Sequence, residues 1–494
     1  MTEIPNSTSP LPEKWVTASI DDVAKVLPGY GFPEKYQGKV DGEIPFFKVR
    51  DISEAFLKGS IYLKKANNYV TLSECEELRA KPLEEGSIVF AKIGEALKLN
   101  RRAILTQPSL VDNNVVGISP IPEVFYSLYA YYFLLTVRLE GLSRATTVPS
   151  VRKSDIEEIK IPLAPFNEQR RIVAKVEELF SFLDAGTDSL RKVQAQLKRY
   201  RQAVLKYAFE GKLTEEWRKT HKDPTESAHS LLDQILKNRS AELKNSRPIS
   251  VEVTNLNEIP ENWVWTTIGE LFKVGSGGTP SRRKPEYWKG TIPWVSSGEV
   301  DFREIRGTNE CISQEGLRNS SAKLYPPGTI LMALYGEGKT RGQVAILELD
   351  STTNQAIACI CCSKTRIPPK YVYWWLCYRY YETRKIREGA NQPNMYLHHV
   401  QKIPIPLAPL HEQKEIVKEI EQLTSLANVL QETIRASLLQ SERLRQSILK
   451  HAFGGKLVAQ DSSDEPAEIL LQRIKAQKID EIKKNSIGLI NYVK

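Results

Sequence analysis

Ile161-Pro162-Leu163-Ala164-Pro165-Phe166-Asn167-Glu168-Gln169 returns at an offset of 244 as Ile405-Pro406-Leu407-Ala408-Pro409-Leu410-His411-Glu412-Gln413. The alignment continues without a gap to Gly211-Lys212-Leu213 and Gly455-Lys456-Leu457, with about 24 identities in about 53 positions, which marks an internal duplication. Within it Arg201-Gln202 matches Arg445-Gln446, and Ala208-Phe209 matches Ala452-Phe453. Upstream lies a weaker echo, Leu11-Pro12-Glu13-Lys14-Trp15-Val16 against Ile259-Pro260-Glu261-Asn262-Trp263-Val264. Downstream, Leu231-Leu232 and Ile235 correspond to Leu470-Leu471 and Ile474. Each half therefore reads as a divergent globular region, a similar long segment and a short helix.

After Pro165 the hydrophobic period becomes helical. Ile172, Val176, Leu179, Leu183, Leu190, Val193, Leu197, Tyr200 and Val204 follow 4-3-4 spacing, with Gly186 filling one position. The second copy offers Ile416, Ile420, Leu423, Ala427, Leu430, Ile434, Leu444 and Ile448, with Ser437 and Ser441 as weak points. Heptad spacing sustained this far predicts a coiled coil rather than helices lying on a globular core. Two such seams in one chain most simply bury each other, antiparallel.

The globular regions mix short β-like runs (Ile44 to Val49, Ser87 to Ile93, Val115 to Ile118; Val344 to Leu349, Ala356 to Cys362) with aromatic helices near Phe125 to Val137 and Tyr371 to Tyr381. No regular strand–helix alternation is present, so the class is mixed α/β. The expected organisation is a disordered lead over 1–10, a globular domain over 11–165 and a spacer helix over 166–213. A linker with a short helix follows over 214–258, punctuated by Pro224 and Pro248. A second domain spans 259–409, its spacer helix 410–457, and a tail with a short helix, Glu468 to Lys478, 458–494.

Composition narrows the class. The chain has 494 residues, 41% hydrophobic and 26% charged, ample for a packed core. Six cysteines exclude a disulfide scaffold and fit a reducing cytoplasm. No run approaches the length of a membrane span, and the polar N-terminus lacks the apolar core of a signal peptide. The net charge of +9 fits a polyanionic partner without demanding one.

Motifs for catalysis fall short. Ala333 to Thr340 nearly fits a phosphate-cradling loop, but the next run, Val344 to Leu347, is strand-like where that motif needs a helix. A Gly-rich basic hairpin loop is the better reading. Gly275 to Gly278 lacks a strand–turn–helix setting. Asn391-Gln392-Pro393-Asn394 lacks the second proline and aromatic residue of an amino-methyltransferase motif. Cys359 and Cys362 have no second pair for zinc and suit a buried strand. His398-His399 reads as a solvated turn, and Asp155, Glu158 and Lys160 as a charged turn. No catalytic, cofactor or metal residue is assigned.

Basic and aromatic residues on expected loops remain. In the second half these are Arg282, Arg283, Lys284, Trp288, Lys289, Tyr335, Lys339 and Arg341, with Asn391, Gln392 and Asn394. In the first half they are Lys35, Tyr36, Lys48, Arg50, Lys92, Lys98, Arg101, Arg102, Arg144, Thr146 and Thr147, with Arg152-Lys153 nearby. Lys and Arg suit phosphates, while Arg, Asn and Gln also suit base edges. Two equivalent clusters in a duplicated chain strengthen a DNA-binding reading.

With these motifs in this order, the chain resembles the specificity subunit of a type I restriction-modification system. The resemblance rests on the Leu-Pro-Glu-x-Trp opening, the Ile-Pro-Leu-Ala-Pro-x-x-Glu-Gln helix start and the Arg-Gln…Ala-Phe…Gly-Lys-Leu helix end, each present twice. It implies two target-recognition domains, each reading one half of a gapped double-stranded DNA site, related by pseudo-two-fold symmetry through antiparallel spacer helices. It implies docking of two modification subunits carrying the methyltransferase chemistry, and of restriction subunits adding translocation and cleavage. S-adenosylmethionine, ATP and Mg would then belong to those partners, and none to this chain. The competing classes are a DNA-binding or bridging protein unrelated to restriction, and a fused methyltransferase or nuclease.

Overall fold

The computed structural model describes residues 10–143, 148–221, 227–243, 257–336, 338–385 and 395–476. The chain forms two compact units. One comprises 1–190 with 436–494, the other 191–435. Each holds one globular domain, the start of one long helix and the end of the other.

In the first domain the strands are β1 (Val16–Ser19), β2 (Ala24–Pro28), β3 (Ile44–Phe47), β4 (Tyr62–Leu63), β5 (Tyr69–Val70), β6 (Ile88–Ala91), β7 (Arg102–Leu105), β8 (Leu110–Val111), β9 (Val115–Pro120) and β10 (Lys160–Leu163). They form a sheet ordered β2-β9-β6-β7-β4, a smaller one ordered β5-β3-β8, and the pair β1-β10. The second domain has β11 (Val264–Thr267), β12 (Lys273–Ser276), β13 (Ile292–Val295), β14 (Glu304–Ile305), β15 (Glu310–Ile312), β16 (Ile330–Ala333), β17 (Val344–Leu347), β18 (Thr352–Thr353), β19 (Ile357–Cys361) and β20 (Pro404–Leu407). Its order repeats the first: β12-β19-β16-β17-β14, β15-β13-β18 and β11-β20. Even the parallel pairs recur, β4 with β7 and β14 with β17. The mixed α/β duplication thus covers the globular regions whose sequences diverged.

The apolar runs are continuous because the large sheets are covered on both faces. In β6, Ile88 and Phe90 join one core cluster while Val89 joins another. In β16, Ile330 and Met332 face one cluster and Leu331 and Ala333 the other. Successive strand residues point to opposite faces, so both sides must be apolar. Cys359 and Cys362 are buried in and just after β19, as the sequence suggested.

The long helices run unbroken over Phe166–Phe209 and Leu410–Phe453. Within the first unit Asp184 pairs with Arg445 and Arg171 with Asp464. Within the second, Arg201 donates to Gln431 and Asn428 at 2.7 Å, and Thr214 to Glu412 at 2.8 Å. Rising numbers meet falling ones, so the helical segments are antiparallel in both units.

Burial along the seam is uneven. Ile172, Val176, Leu197, Val204, Ile416, Ile420 and Ile434 are buried, and Leu179, Leu183, Leu190, Leu423 and Ile448 half-buried. Val193, Tyr200, Leu430 and Leu444 are exposed, the last two at 41% and 43%. The helix ends also lie against globular cores, contrary to expectation. Ile172, Val173, Val176 and Phe180 pack with Tyr129 and Phe133 of the helix Ser127–Thr136. The rings of Phe453 and Tyr129 lie 5.0 Å apart, and those of Phe209 and Tyr371 5.4 Å apart. The 3.6-residue period alone does not distinguish a helical partner from a globular one, and here it serves both.

The recurring motifs meet at each domain–helix junction. Trp15 Nε1–H donates to Glu168 at 3.0 Å and Trp263 Nε1–H to Glu412 at 2.9 Å. Gln169 and Gln413 cap the carbonyls of Ala164 and Ala408. Tyr129 and Tyr371 donate to the carbonyls of Pro162 and Pro406, each at 2.7 Å. Gly211 and Gly455 stop the helices with φ of 71° and 67°, a left-handed turn that favours glycine. A Cβ there would strike Pro260 and Pro12 respectively.

Candidate nucleic-acid interface

Arg282, Arg283, Lys284 and Lys289 lie on the loop between β12 and β13. The Arg282 guanidinium stacks 3.5 Å over the Trp288 ring, which meets Trp294 edge-on at 4.9 Å. Glu310 on β15 grips the same guanidinium with both oxygens, one at 2.9 Å. That bidentate pair raises the Arg282 pKa and lowers that of Glu310. Lys284 donates to the Tyr287 hydroxyl at 3.0 Å, which raises its pKa. Arg283 and Lys289 are exposed. Two indoles thus fix one arginine while its neighbours offer positive charge to solvent, an arrangement suited to polyanion contact.

The corresponding loop of the first domain, between β2 and β3, repeats the plan. Tyr36 takes the place of Tyr287, both 4% exposed, with Lys35 4.5 Å above its ring. Here carboxylates answer the cations: Lys35 pairs with Glu77 at 2.6 Å, and the Tyr36 hydroxyl donates to the same glutamate. Lys48 lies over Phe32 and reaches Gln37 at 3.0 Å, so the structure brings Lys35, Tyr36 and Lys48 together. Arg50 pairs with Glu54 and Lys98 with Glu95, both on exposed helical turns. Lys92 is half-buried beside β6, and Arg101 lies 5.1 Å from the Phe56 ring.

Three assignments are corrected. Tyr36 belongs to the core of its loop. Arg102 is 1% exposed, donating to the carbonyls of Asn100 and Val137 at 2.9 and 2.8 Å. Burial draws its pKa down to about 9. Arg341 is buried too, donating to the carbonyl of Arg384 at 3.0 Å. Each arginine ties a loop to the segment after its domain's aromatic helix, which charge and loop position alone do not reveal. Arg144, Thr146, Thr147, Asn391, Gln392 and Asn394 lie outside the described residues, as do Pro224 and Pro248.

The Gly-rich segment links β16 to its antiparallel partner β17, so it is a hairpin loop as expected. Tyr335 is half-buried at its base and Lys339 exposed on it. His398 and His399 lie in the short helix Leu397–Gln401, His398 exposed and His399 half-buried. Among the described residues no cluster of three or more His, Cys, Asp or Glu could hold a metal, and no helix is long and apolar enough to cross a membrane. Phe302, Tyr380 and Arg384, which escaped the sequence reading, converge beside the Gly-rich loop. A lone Phe in the polar turn Asp301-Phe302-Arg303 was their one signal.

Two segments, 12–199 and 260–440, match the family model described as the type I restriction modification DNA specificity domain. The chain is 24% identical over 494 residues to the type I restriction enzyme EcoDI specificity subunit of Escherichia coli, covering 96% of this chain and 97% of that one. It is 22% identical to the MjaVIII specificity subunit of Methanocaldococcus jannaschii, over 90% of this chain and 94% of that one. Among solved structures, the HsdS subunit from Thermoanaerobacter tengcongensis shares the fold with a TM-score of 0.54 at 19% identity, covering 92% of this chain and all of that one. A chain from a study of complex assembly in the type I R-M system gives 0.62 at 18%, covering 91% of this chain and all of that one. Both family matches start at the Pro-Glu-x-Trp motif and extend along a long helix, so the duplicated frame and the match coincide: the chain belongs to the type I restriction-modification DNA specificity family.

Proposed function

We propose that this chain supplies the DNA sequence specificity of a type I restriction-modification complex, each globular domain reading one half of a gapped duplex site. The observation that carries this is one sheet order built twice on one set of junction contacts, while the loops bearing exposed cations differ. Such a design keeps geometry constant and varies readout. The chemistry belongs to partners: modification subunits holding S-adenosylmethionine, and restriction subunits using ATP and Mg. The complex works in the cytoplasm. Exposed apolar side chains on the long helices offer partners a surface: Phe182, Leu439 and Leu444 in one unit, Leu426, Val429 and Leu430 in the other.

Co-expression with the cognate modification subunits, followed by genome-wide mapping of methylated adenine, tests the reading. A bipartite motif with a fixed gap is expected. An ungapped motif, or methylation unchanged without this chain, overturns it. The isolated chain should bind neither S-adenosylmethionine nor ATP in calorimetry. Stoichiometric nucleotide binding abolished by Lys339→Ala would reverse the reading of the Gly-rich loop.

A further inference from the structure

Three segments of the second domain meet beside the Gly-rich loop. Tyr380 donates its hydroxyl to the Lys339 carbonyl at 2.6 Å, and Arg384 Nη1–H to the Arg341 carbonyl at 2.9 Å. Arg384 also donates to Gly338, and Arg341 returns a bond to Arg384. From the third segment, Asp301 accepts from Gln343 at 2.6 Å, and the Phe302 amide donates to the Val344 carbonyl at 2.8 Å. The Phe302 ring stands edge-on to Tyr380 at 5.0 Å. The loop is thus latched by backbone acceptors, with the Lys339 side chain left exposed.

Phe302 is anomalous in two respects. Its φ is 48°, a left-handed backbone that a bulky residue rarely adopts. Its side chain is nevertheless 38% exposed, so core burial does not account for the conformation. Strain of this kind collects where a side chain must be aimed. The first domain lacks the device. Tyr62 pairs with Ile104 as Glu304 pairs with Ile346, which places Ser60 where Phe302 stands. By the same offset Arg138 replaces Tyr380 and Leu142 replaces Arg384. A feature present in one of two matched domains fits a task that differs between them.

We propose that Phe302 is a specificity-determining residue of the second domain, making apolar contact with a thymine methyl in the major groove while Lys339 takes a neighbouring phosphate. Tyr380 and Arg384 are positioning residues. The reading uses known base-edge chemistry, in which the C5-methyl group distinguishes thymine. It rests on the proposed function above.

The test uses the full chain with its modification subunits and duplexes carrying the mapped site. Thymines of each half-site are replaced one at a time by deoxyuridine, which lacks only that methyl. The wild-type complex should lose about four-fold affinity at one position of one half-site, the equivalent of one buried methyl-sized group. Phe302→Ser, which installs the first domain's residue at an exposed site, should abolish that penalty and leave discrimination at the other half-site intact. Tyr380→Phe, which keeps the ring and removes the bond to Lys339, should reduce the penalty, and Lys339→Ala should make the salt dependence shallower by about one phosphate contact. A wild-type complex indifferent to deoxyuridine, or a Phe302→Ser complex that keeps the full penalty, overturns the proposal alone. Failure to bind any gapped duplex overturns the functional reading with it.

Discussion

The Trp15 indole N–H and the Glu168 carboxylate meet at 3.0 Å in a site where Glu168 is 1% exposed, joining the start of the first domain to the first turn of its long helix. Trp263 and Glu412 repeat the bond. Gln460 adds a second donor to Glu168, whereas Thr214 and Arg218 serve Glu412. Trp15→Phe keeps the ring and removes the donor. It should cost about 1–3 kcal/mol, the penalty for a buried acceptor losing its partner. Urea unfolding of this variant beside Trp263→Phe checks it, with both expected to be destabilised.

Glu168 also sets a pH dependence. Burial pushes its pKa up, against the bonds from Trp15 and Gln460, which pull it down. The folded form therefore holds its proton to higher pH than the unfolded chain. Stability from this group is greatest in acid and falls as pH rises from the ordinary glutamate value through the raised one. Glu168→Gln should flatten that part of a stability-against-pH profile measured by thermal unfolding.

Arg102 and Arg282 separate a structural arginine from a surface one. Arg102→Ala should destabilise the first domain by about 2–5 kcal/mol, the range for truncating large buried side chains. The slope of log affinity for DNA against log salt should be unchanged, because Arg102 is not at the surface. An altered slope in folded protein would return Arg102 to the interface.

Glu310 should act in the opposite sense to its partner. Arg282→Ala weakens binding to duplexes of any sequence and makes the salt slope shallower by about 0.9. Glu310→Ala removes a carboxylate from a proposed phosphate contact and should strengthen that binding with a steeper slope. Titrations at several salt concentrations distinguish the two. The triple change of Arg282, Arg283 and Lys284 to Ala should give the largest loss.

A domain exchange should respect the β1–β10 pair. Replacing residues 16–163 with those of a family member carries both strands and leaves Trp15 and Glu168 in the recipient. Methylome mapping should then show one half-site changed and the other retained. Loss of both would mean that the domains do not read independently.

Much of this was legible in the sequence because repetition exposes what a frame requires. The Glu-Gln, Ala-Phe and Gly-Lys-Leu motifs recur since each fills a bond, a ring contact or a left-handed turn that both junctions need. The divergent domains gave up only their class and several strands. Their shared sheet order depends on which runs pair, and apolar runs buried on both faces carry little register information. The interface was the least legible. Tyr36, Arg102 and Arg341 look like loop contacts until burial is known, and a lone Phe in a polar turn does not announce the left-handed backbone of Phe302.

The first unit draws its core from both ends of the chain. Leu449, Ala452, Phe453 and residues Ala467, Leu471 and Ile474 pack with the first domain, and Lys14 donates to carbonyls of Asp461, Ser462 and Asp464. The second unit is one uninterrupted stretch. On the ribosome, the domain made first therefore has to wait. Phe453 is translated 263 residues after Leu190, a delay of roughly 13–50 s at about 5–20 residues per second. Throughout that interval Tyr129 and Phe133 lack their aromatic partner, while residues 191–435 can already close. Completion of the first unit thus waits on the second long helix, and the face of the first domain that meets Phe453 stays uncovered in the meantime.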